Sequence, residues 1–380
     1  MAKDTRAIVQ TMAVESFDDG EGDVLSGSLI AGTGIGKTKC AIDLLKKLKK
    51  FLSRSPKVLW VTPTVKLRDY DTPAEFKKWE YSQKDVSFIC YKSLTKLKEQ
   101  QYDIAVFDEA HHITETNLQV IFNNQIDRII ALTATYPEDE VKAEILSAIA
   151  PVQFSYSLEE GISDQIVKKV NIHFCSVPLN DKKTLEVKTK KHHFFVSEKK
   201  KYEFLCKQVD KFKYLYFNDQ TPQKEKLWMS KIGIRSNFLY SLQSKVDYTK
   251  KLLQTFPENE RILIFGKRIE TIKKLGVPTY HSKSDATDLN KFINKECSKL
   301  AVVDSLNEGA NIPDLSTCII MNLDSRKKNL VQRIGRAVRR SGTDEANIYI
   351  LVSQGTQDEV WFANAIKAFP TTNIFHHQLT

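Results

Sequence analysis

The sequence predicts two α/β domains in tandem, each built on a parallel sheet with helices on both faces. Three observations carry this. Short, nearly continuous apolar runs alternate with helical patterns up to about residue 150, and the same alternation returns over residues 261–356. Strands buried on both faces read in this way, because neither face needs polar side chains. A glycine-rich loop joins the first strong strand to the first strong helix. Between the two blocks lies a stretch of different, basic composition with few turn signals. At 380 residues the chain is too long for one small core, so two domains of ordinary size are expected.

In chain order, the strands of the first block are VLSGSLIA (24–31), KVLWVTP (57–63), VSFICY (86–91), DIAVFDE (103–109) and RIIALTAT (128–135). Helices are expected between them at 38–52, 73–80, 93–99 and 115–123. A strand KVNIHFCSV (169–177) precedes a region that reads as helical from about 197 to 255. The second block supplies RILIFG (261–266), LAVVDS (300–305), TCIIMNL (317–323) and NIYILVS (347–353). The domains are therefore expected at 1–165 and 261–380, with a linker strand and basic helical insertion over 166–260.

Hydrophobic content of 41% and charged content of 27% are those of a globular chain, and no apolar run reaches the length of a membrane span. The first residues lack the apolar core of a secretory signal. The six cysteines are scattered, with no CxxC pair or Cys/His cluster to suggest zinc or a disulfide framework. A reducing, cytoplasmic setting is the simplest. The net charge is +10, and residues 166–260 carry the whole excess, with 20 Lys/Arg against 10 Asp/Glu. Such a localised surplus suits a polyanion, for which nucleic acid is the usual candidate.

Residues 31–38, AGTGIGKT, fit the phosphate-binding pattern G-x-x-x-x-G-K-[ST] through Gly32, Gly36, Lys37 and Thr38. The glycines, with Thr33 and Gly34 between them, let backbone N–H groups close around phosphates. Lys37 reaches the β/γ-phosphates and the Thr38 hydroxyl ligates Mg²⁺. The next helix, with Ala41, Leu44, Leu45 and Leu48 on one face, puts the anion at a helix N-terminus. ATP with Mg²⁺ is thus the expected ligand. Asp108-Glu109-Ala110-His111 ends an apolar strand, where a carboxylate points into the crevice that binds ligands in open α/β sheets. Asp108 there can hold Mg²⁺, and Glu109 can orient or deprotonate the attacking water. Further on, QRIGRAVRR (332–340) puts Gln332, Arg336 and Arg339 or Arg340 on one helix face, able to grip a phosphate. Alone, that run is equally a solvated basic helix or a non-specific nucleic-acid patch.

Taken together and in order, these runs resemble the superfamily 2 helicases, the DEAD/DEAH-box type of motor. The nearest resemblance is to the group of type III restriction motor subunits and phage UvsW-type helicases. AGTGIGKT matches motif I and VTPT (61–64) motif Ia, with YKSL (91–94) after it. DEAH (108–111) matches motif II, Thr133-Ala134-Thr135 motif III, LIFGKR (263–268) motif IV, DSLNEGANIPD (304–314) motif V and QRIGRAVRR motif VI. GTQDEVW (355–361) resembles the tail of these motors. The resemblance implies two RecA-like domains, a helical, lysine-rich insertion, and ATP in a cleft between the domains. It implies that His111, Thr133 and Thr135 couple the ATP site to the bound nucleic acid, and that Gln332, Arg336 and Arg339 face the γ-phosphate, the arginines as fingers. Glu308 and Gly309 would lie near the ribose or the domain interface, and Pro63, Thr64, Ser93 and Ser305 along the nucleic-acid backbone. An adenine-contacting glutamine precedes motif I in the family, and Arg6 and Gln10 are the candidates here. The chain departs from the pattern at Asn311, where the family often has Asp, and at Thr133, where Ser is commoner.

The basic stretch has two readings. Aromatics interleave with lysines between 192 and 240, as in an element that contacts or splits nucleic-acid strands. Aromatics at helical spacing more often form a core, and that reading is preferred for most of them. For function, an ATP-driven helicase or translocase on branched or forked DNA leads. An RNA remodeller is the alternative, since phosphate contacts do not separate the two. A non-catalytic ATP-binding scaffold and a motor subunit working with replication, recombination or restriction proteins also remain. No membrane association is expected, and a monomer is compatible with the chain.

Overall fold

The computed structural model describes residues 2–32, 34–134, 136–137, 139–188, 193–303, 312, 315–325, 333, 345–368 and 374–377, the side chains of 2–4 and 158 aside. The chain divides into two compact units, with the main boundary between Lys169 and Val170.

The first unit begins with helix α1 (Ala2–Glu15) and strand β1 (Gly27–Ala31). Helix α2 (Lys37–Leu52), strand β2 (Val58–Thr62), helix α3 (Thr72–Lys78) and strand β3 (Val86–Cys90) come next. Then come strand β4 (Ile104–Asp108), helix α4 (Glu115–Asn123) and strand β5 (Ile129–Thr133). Helix α5 (Glu140–Ile149), strand β6 (Val152–Tyr156) and helix α6 (Leu158–Ser163) complete it. The sheet is parallel in order β3-β2-β4-β5-β1-β6. Alternate residues of each central strand go to opposite faces. Trp60, Val106 and Leu132 pack with α1 and α2, while Leu59, Phe107 and Ala131 pack with Leu118 and Ile121 of α4. All six sit at or below 1% exposure, which is why these strands carry no polar alternation. The helix expected at 93–99 is instead a 3₁₀ turn over Tyr91–Lys96, pinned by buried Tyr91 and Leu94. Six residues are too few to nucleate an α-helix without tertiary support.

The second unit takes strand β7 (Lys169–Val177), the antiparallel pair β8 (Leu185–Lys188) and β9 (His193–Val196), and three helices. These are α7 (Glu198–Asn218), α8 (Pro222–Leu239) and α9 (Gln243–Gln254), where the sequence reads one helical region. Pro222 opens α8, as suits a residue without an N–H at a helix start. Strand β10 (Ile262–Gly266), helix α10 (Ile269–Lys273), strand β11 (Thr279–Tyr280), helix α11 (Thr287–Ile293) and strand β12 (Lys299–Val303) come after them. Strands β13 (Thr317–Ile320) and β14 (Glu345–Ser353), helix α12 (Gln357–Ala365) and strand β15 (Ile374–His377) end it. The sheet order is β11-β12-β10-β13-β14-β7-β15. Strand β7 therefore joins the second sheet, and Val246, Leu252 and Leu253 of α9 join its core.

The aromatics of the basic stretch divide: Phe212, Tyr216, Trp228, Phe238 and Tyr240 are half-buried, and Tyr216, Phe217 and Trp228 pack on one another. Tyr202 is buried, but Phe194, Phe195, Phe204, Tyr214 and Phe217 are exposed. Helices α7 and α8 pack on each other as a two-helix hairpin, and two helices without a third layer leave their outer faces in water. No helix among the described residues is long and apolar enough to cross a membrane.

Candidate nucleotide site of the first unit

Strand order brings the site together. Strands β4 and β5 lie between β2 and β1, so the C-terminal ends of β1, β5 and β4 are neighbours. Ile30 pairs with Thr133 and Leu132 with Asp108. The glycine loop, the threonine of motif III and the acidic strand end therefore meet at one edge, where parallel α/β sheets bind ligands.

Helix α2 starts at the loop. Its N-cap, Gly36, has φ 97° and offers no side-chain cap, and Gly34 has the same φ. Non-glycine residues are strained there, while glycine is not. The first N–H groups of the helix are thus left to an outside acceptor, and the helix dipole favours a negative one. Lys37 Nζ folds back to donate to the carbonyl of Ala31 at 2.9 Å. Thr38 is half-buried in the first turn, and buried Gly32 donates its N–H to the Tyr156 carbonyl at 3.3 Å. Cys40, behind them, is held in the core, and burial pushes its thiol up to about 11.

Gln10 is not a surface residue at a helix start. It lies well inside α1, 7% exposed, and its Nε2 donates to the Ile35 carbonyl at 2.7 Å. A Cβ on Gly36 would stand 2.6 Å from that nitrogen. The second candidate, Arg6, donates to the Ile166 carbonyl at 3.0 Å instead.

At the end of β4, Asp108 is buried, and its Oδ1 accepts the N–H of Glu109 at 3.1 Å. Glu109 has φ 50°, a left-handed conformation for a residue with a side chain. Such strain is held only where neighbours fix it. Here the Glu109 Oε2 lies 3.6 Å from His111 Nδ1, and that nitrogen lies 3.3 Å from Thr133 Oγ1. Both His111 and Thr133 are buried.

A link that sequence reasoning missed runs behind this strand end. Buried Tyr91 donates its hydroxyl to the Asp108 carbonyl at 2.9 Å, and Asn117 Nδ2 donates to the Tyr91 carbonyl at 3.2 Å. YKSL thereby touches the acidic motif, and only the fold shows it. Ser93, Pro63 and Thr64 are half-buried. Thr64 Oγ1 accepts the N–H of Leu67 at 3.3 Å, ordering the turn after β2. Arg333 is 2% exposed, donates to the Asn322 carbonyl at 2.9 Å and stacks on Phe265 at 5.7 Å. Thr33, Thr135, Ser305, Gly309, Gln332, Arg336 and Arg339 lie outside the described residues.

The residues present fit both phosphate and magnesium. The uncapped helix start with its two left-handed glycines suits an anion. The Thr38 hydroxyl and the Asp108 carboxylate are hard oxygen donors of the kind Mg²⁺ takes.

Comparison with known proteins agrees. Residues 5–138 match the family model described as type III restriction enzyme, res subunit, and residues 244–341 match the helicase conserved C-terminal domain. The chain is a superfamily 2 helicase. This helicase is 26% identical over 361 residues to the DNA 3'-5' translocase XPB2 of Sulfurisphaera tokodaii, across 87% of this chain and 79% of that protein. Its fold is similar to that of the Type ISP restriction-modification enzyme LlaBIII bound to DNA, with a TM-score of 0.58 and 14% identity. That match covers 98% of this helicase but only 31% of the LlaBIII chain. The Hef helicase domain of Pyrococcus furiosus matches with a TM-score of 0.55 and 15% identity, over 95% of this chain and 97% of that one. The helicase thus has the tandem RecA-like fold, and its family hydrolyses ATP to act on nucleic acid.

Proposed function

We propose that this helicase is an ATP-driven DNA translocase that unwinds or remodels branched or forked DNA. The observation that carries the reading is the convergence of Lys37, the Glu109–His111–Thr133 contacts and the uncapped start of α2 at three adjacent strand ends. DNA is preferred to RNA because XPB2 is a DNA translocase and the LlaBIII structure is bound to DNA.

In this reading the backbone N–H groups from Gly34 to Thr38 hold the phosphates. Lys37 leaves the Ala31 carbonyl to neutralise the β/γ oxygens. Thr38 and Asp108 would hold Mg²⁺, which when bound would supply further positive charge at the phosphates. Glu109 orients the attacking water and takes its proton, and its strained backbone fixes the direction of that carboxylate. Gln10, bound to the loop backbone, senses whether the loop is filled. The family resemblance assigns Gln332, Arg336 and Arg339 to the γ-phosphate, Gly309 to the ribose or the domain interface, and Pro63, Thr64, Ser93 and Ser305 to the nucleic-acid backbone. The thiols Cys40, Cys90 and Cys175 are free and buried, which suits a reducing, cytoplasmic compartment.

One assay tests the reading: ATP turnover with single-stranded DNA, duplex DNA, forked DNA and RNA side by side. Stimulation by DNA, greatest with the fork, is expected. Stimulation by RNA alone would replace DNA by RNA as substrate. In the same assay Arg336→Ala should keep nucleotide binding and lose about three to five orders of magnitude of turnover, the usual worth of an arginine finger.

A further inference from the structure

The hairpin of α7 and α8 carries a feature that the nucleotide site does not use. Residues 198–239 hold ten Lys/Arg against five Asp/Glu, half of the chain's net charge. One of those five, Glu198, is buried and occupied. Its carboxylate accepts the N–H groups of Asn180, Gln243 and Ser244 at 2.9, 2.7 and 3.1 Å. The hairpin is rooted again on α12, where the Tyr202 hydroxyl accepts the N–H of Gln357 at 2.8 Å and Arg235 donates to the Gln357 side chain at 3.0 Å. Its base is thus held to the second unit at Glu198, Tyr202 and Arg235.

Tyr202, Leu205 and Val209 form the buried stripe of α7. At about 100° per residue, the opposite face presents Lys200, Phe204, Lys207, Lys211, Tyr214 and Leu215. All six are exposed, Phe204 at 55% and Tyr214 at 68%. Glu203 and Asp210 flank this face. Among the described residues, neither ring joins the aromatic cluster of Tyr216, Phe217 and Trp228 nearer the hairpin turn. Large rings in water between lysines serve no packing purpose. They match a polyanion that also offers flat apolar surfaces.

We propose that this outer face of α7 is a binding track for single-stranded nucleic acid. Lys200, Lys207 and Lys211 contact phosphates, and Phe204 and Tyr214 stack on bases. From Lys200 to Leu215 the helix rises about 22 Å, room for a few nucleotides. A single strand fits better than a duplex, because stacking needs unpaired base faces. The inference rests on the translocase reading, and it adds a second contact surface to it.

The test uses the full chain and fluorescent deoxythymidine oligonucleotides, single-stranded and in duplex, across a salt series. Phe204→Ala with Tyr214→Ala should weaken single-strand binding about five- to 150-fold per ring, with little change for duplex and in the salt slope. Lys207→Gln with Lys211→Gln should lower the slope of log Kd against log salt by about 1.4. Thermal midpoints should stay unchanged, because all four side chains are outside the core. Equal losses for single strand and duplex in the ring variant would overturn base stacking. Wild-type binding that neither variant weakens overturns the track and leaves the translocase reading standing. Absence of binding by the wild-type chain overturns the translocase reading itself.

Discussion

His111 and Thr133 meet across two strand ends: Nδ1 of the first lies 3.3 Å from Oγ1 of the second, both buried. The same nitrogen faces Glu109 Oε2 at 3.6 Å. A change at β5 can therefore reach the Glu109 carboxylate through a single imidazole.

Thr133→Val removes this hydroxyl and keeps the shape. Nucleotide affinity should hold, while stimulation of ATP turnover by DNA falls about two- to tenfold, the worth of one hydrogen bond. The ratio of turnover with and without DNA measures this. An unchanged ratio would show that the contact carries no coupling.

Gln10 and Gly36 should act as one unit. Gly36→Ala puts a Cβ 2.6 Å from Gln10 Nε2 at a φ of 97°, so Gln10 must leave the Ile35 carbonyl. Backbone strain adds about 1–2 kcal/mol. Both Gln10→Ala and Gly36→Ala should weaken ATP binding, and the double variant should be less impaired than the sum of the two. Additive losses in a titration with a fluorescent nucleotide would separate the residues.

Lys245 of α9 and Asp358 of α12 form an ion pair at 2.5 Å, with side chains 1% and 0% exposed. Asp358 also accepts the N–H of Ser353 at 3.1 Å. Lys245→Met leaves a buried carboxylate without its cation and should cost about 3–5 kcal/mol. Urea unfolding of the second unit's signal reads this cost. Lys245→Arg should recover only part of it, since the larger guanidinium must fit a filled core.

His173 sets a pH dependence. It stacks on Tyr349 at 4.3 Å and Phe375 at 5.5 Å. Burial lowers its pKa below the ordinary 6.5, and repulsion from His377 adds to this, against a hydrogen bond with Asn347 that raises it. The unfolded chain therefore takes up this proton first. The fold carries no penalty above pH 6.5 and loses stability as the pH falls from there toward the lowered native value. Unfolding midpoints between pH 7.5 and about 5 should fall less steeply in His173→Gln than in the parent chain.

Much of the site was legible because it is local. Three glycines before Lys37 signal a loop needing positive φ, and an apolar strand running into Asp108 signals a carboxylate at a sheet edge. The strands were legible because double burial removes polar residues from IAVF (104–107) and IIAL (129–132). Contacts between distant parts of the chain were not legible. Pairing order put β5 between β1 and β4 and so brought Thr133 to His111. Packing of α1 carried Gln10 to the loop some 25 residues later. Tyr91 found Asp108 only through the sheet. The nucleotide loop, the acidic strand end and the α/β grammar are set by the amino-acid order alone, because each is written in adjacent residues with fixed geometry. Which rings of the basic stretch are buried was settled by tertiary packing, since helical spacing is the same whether a face meets a partner or water.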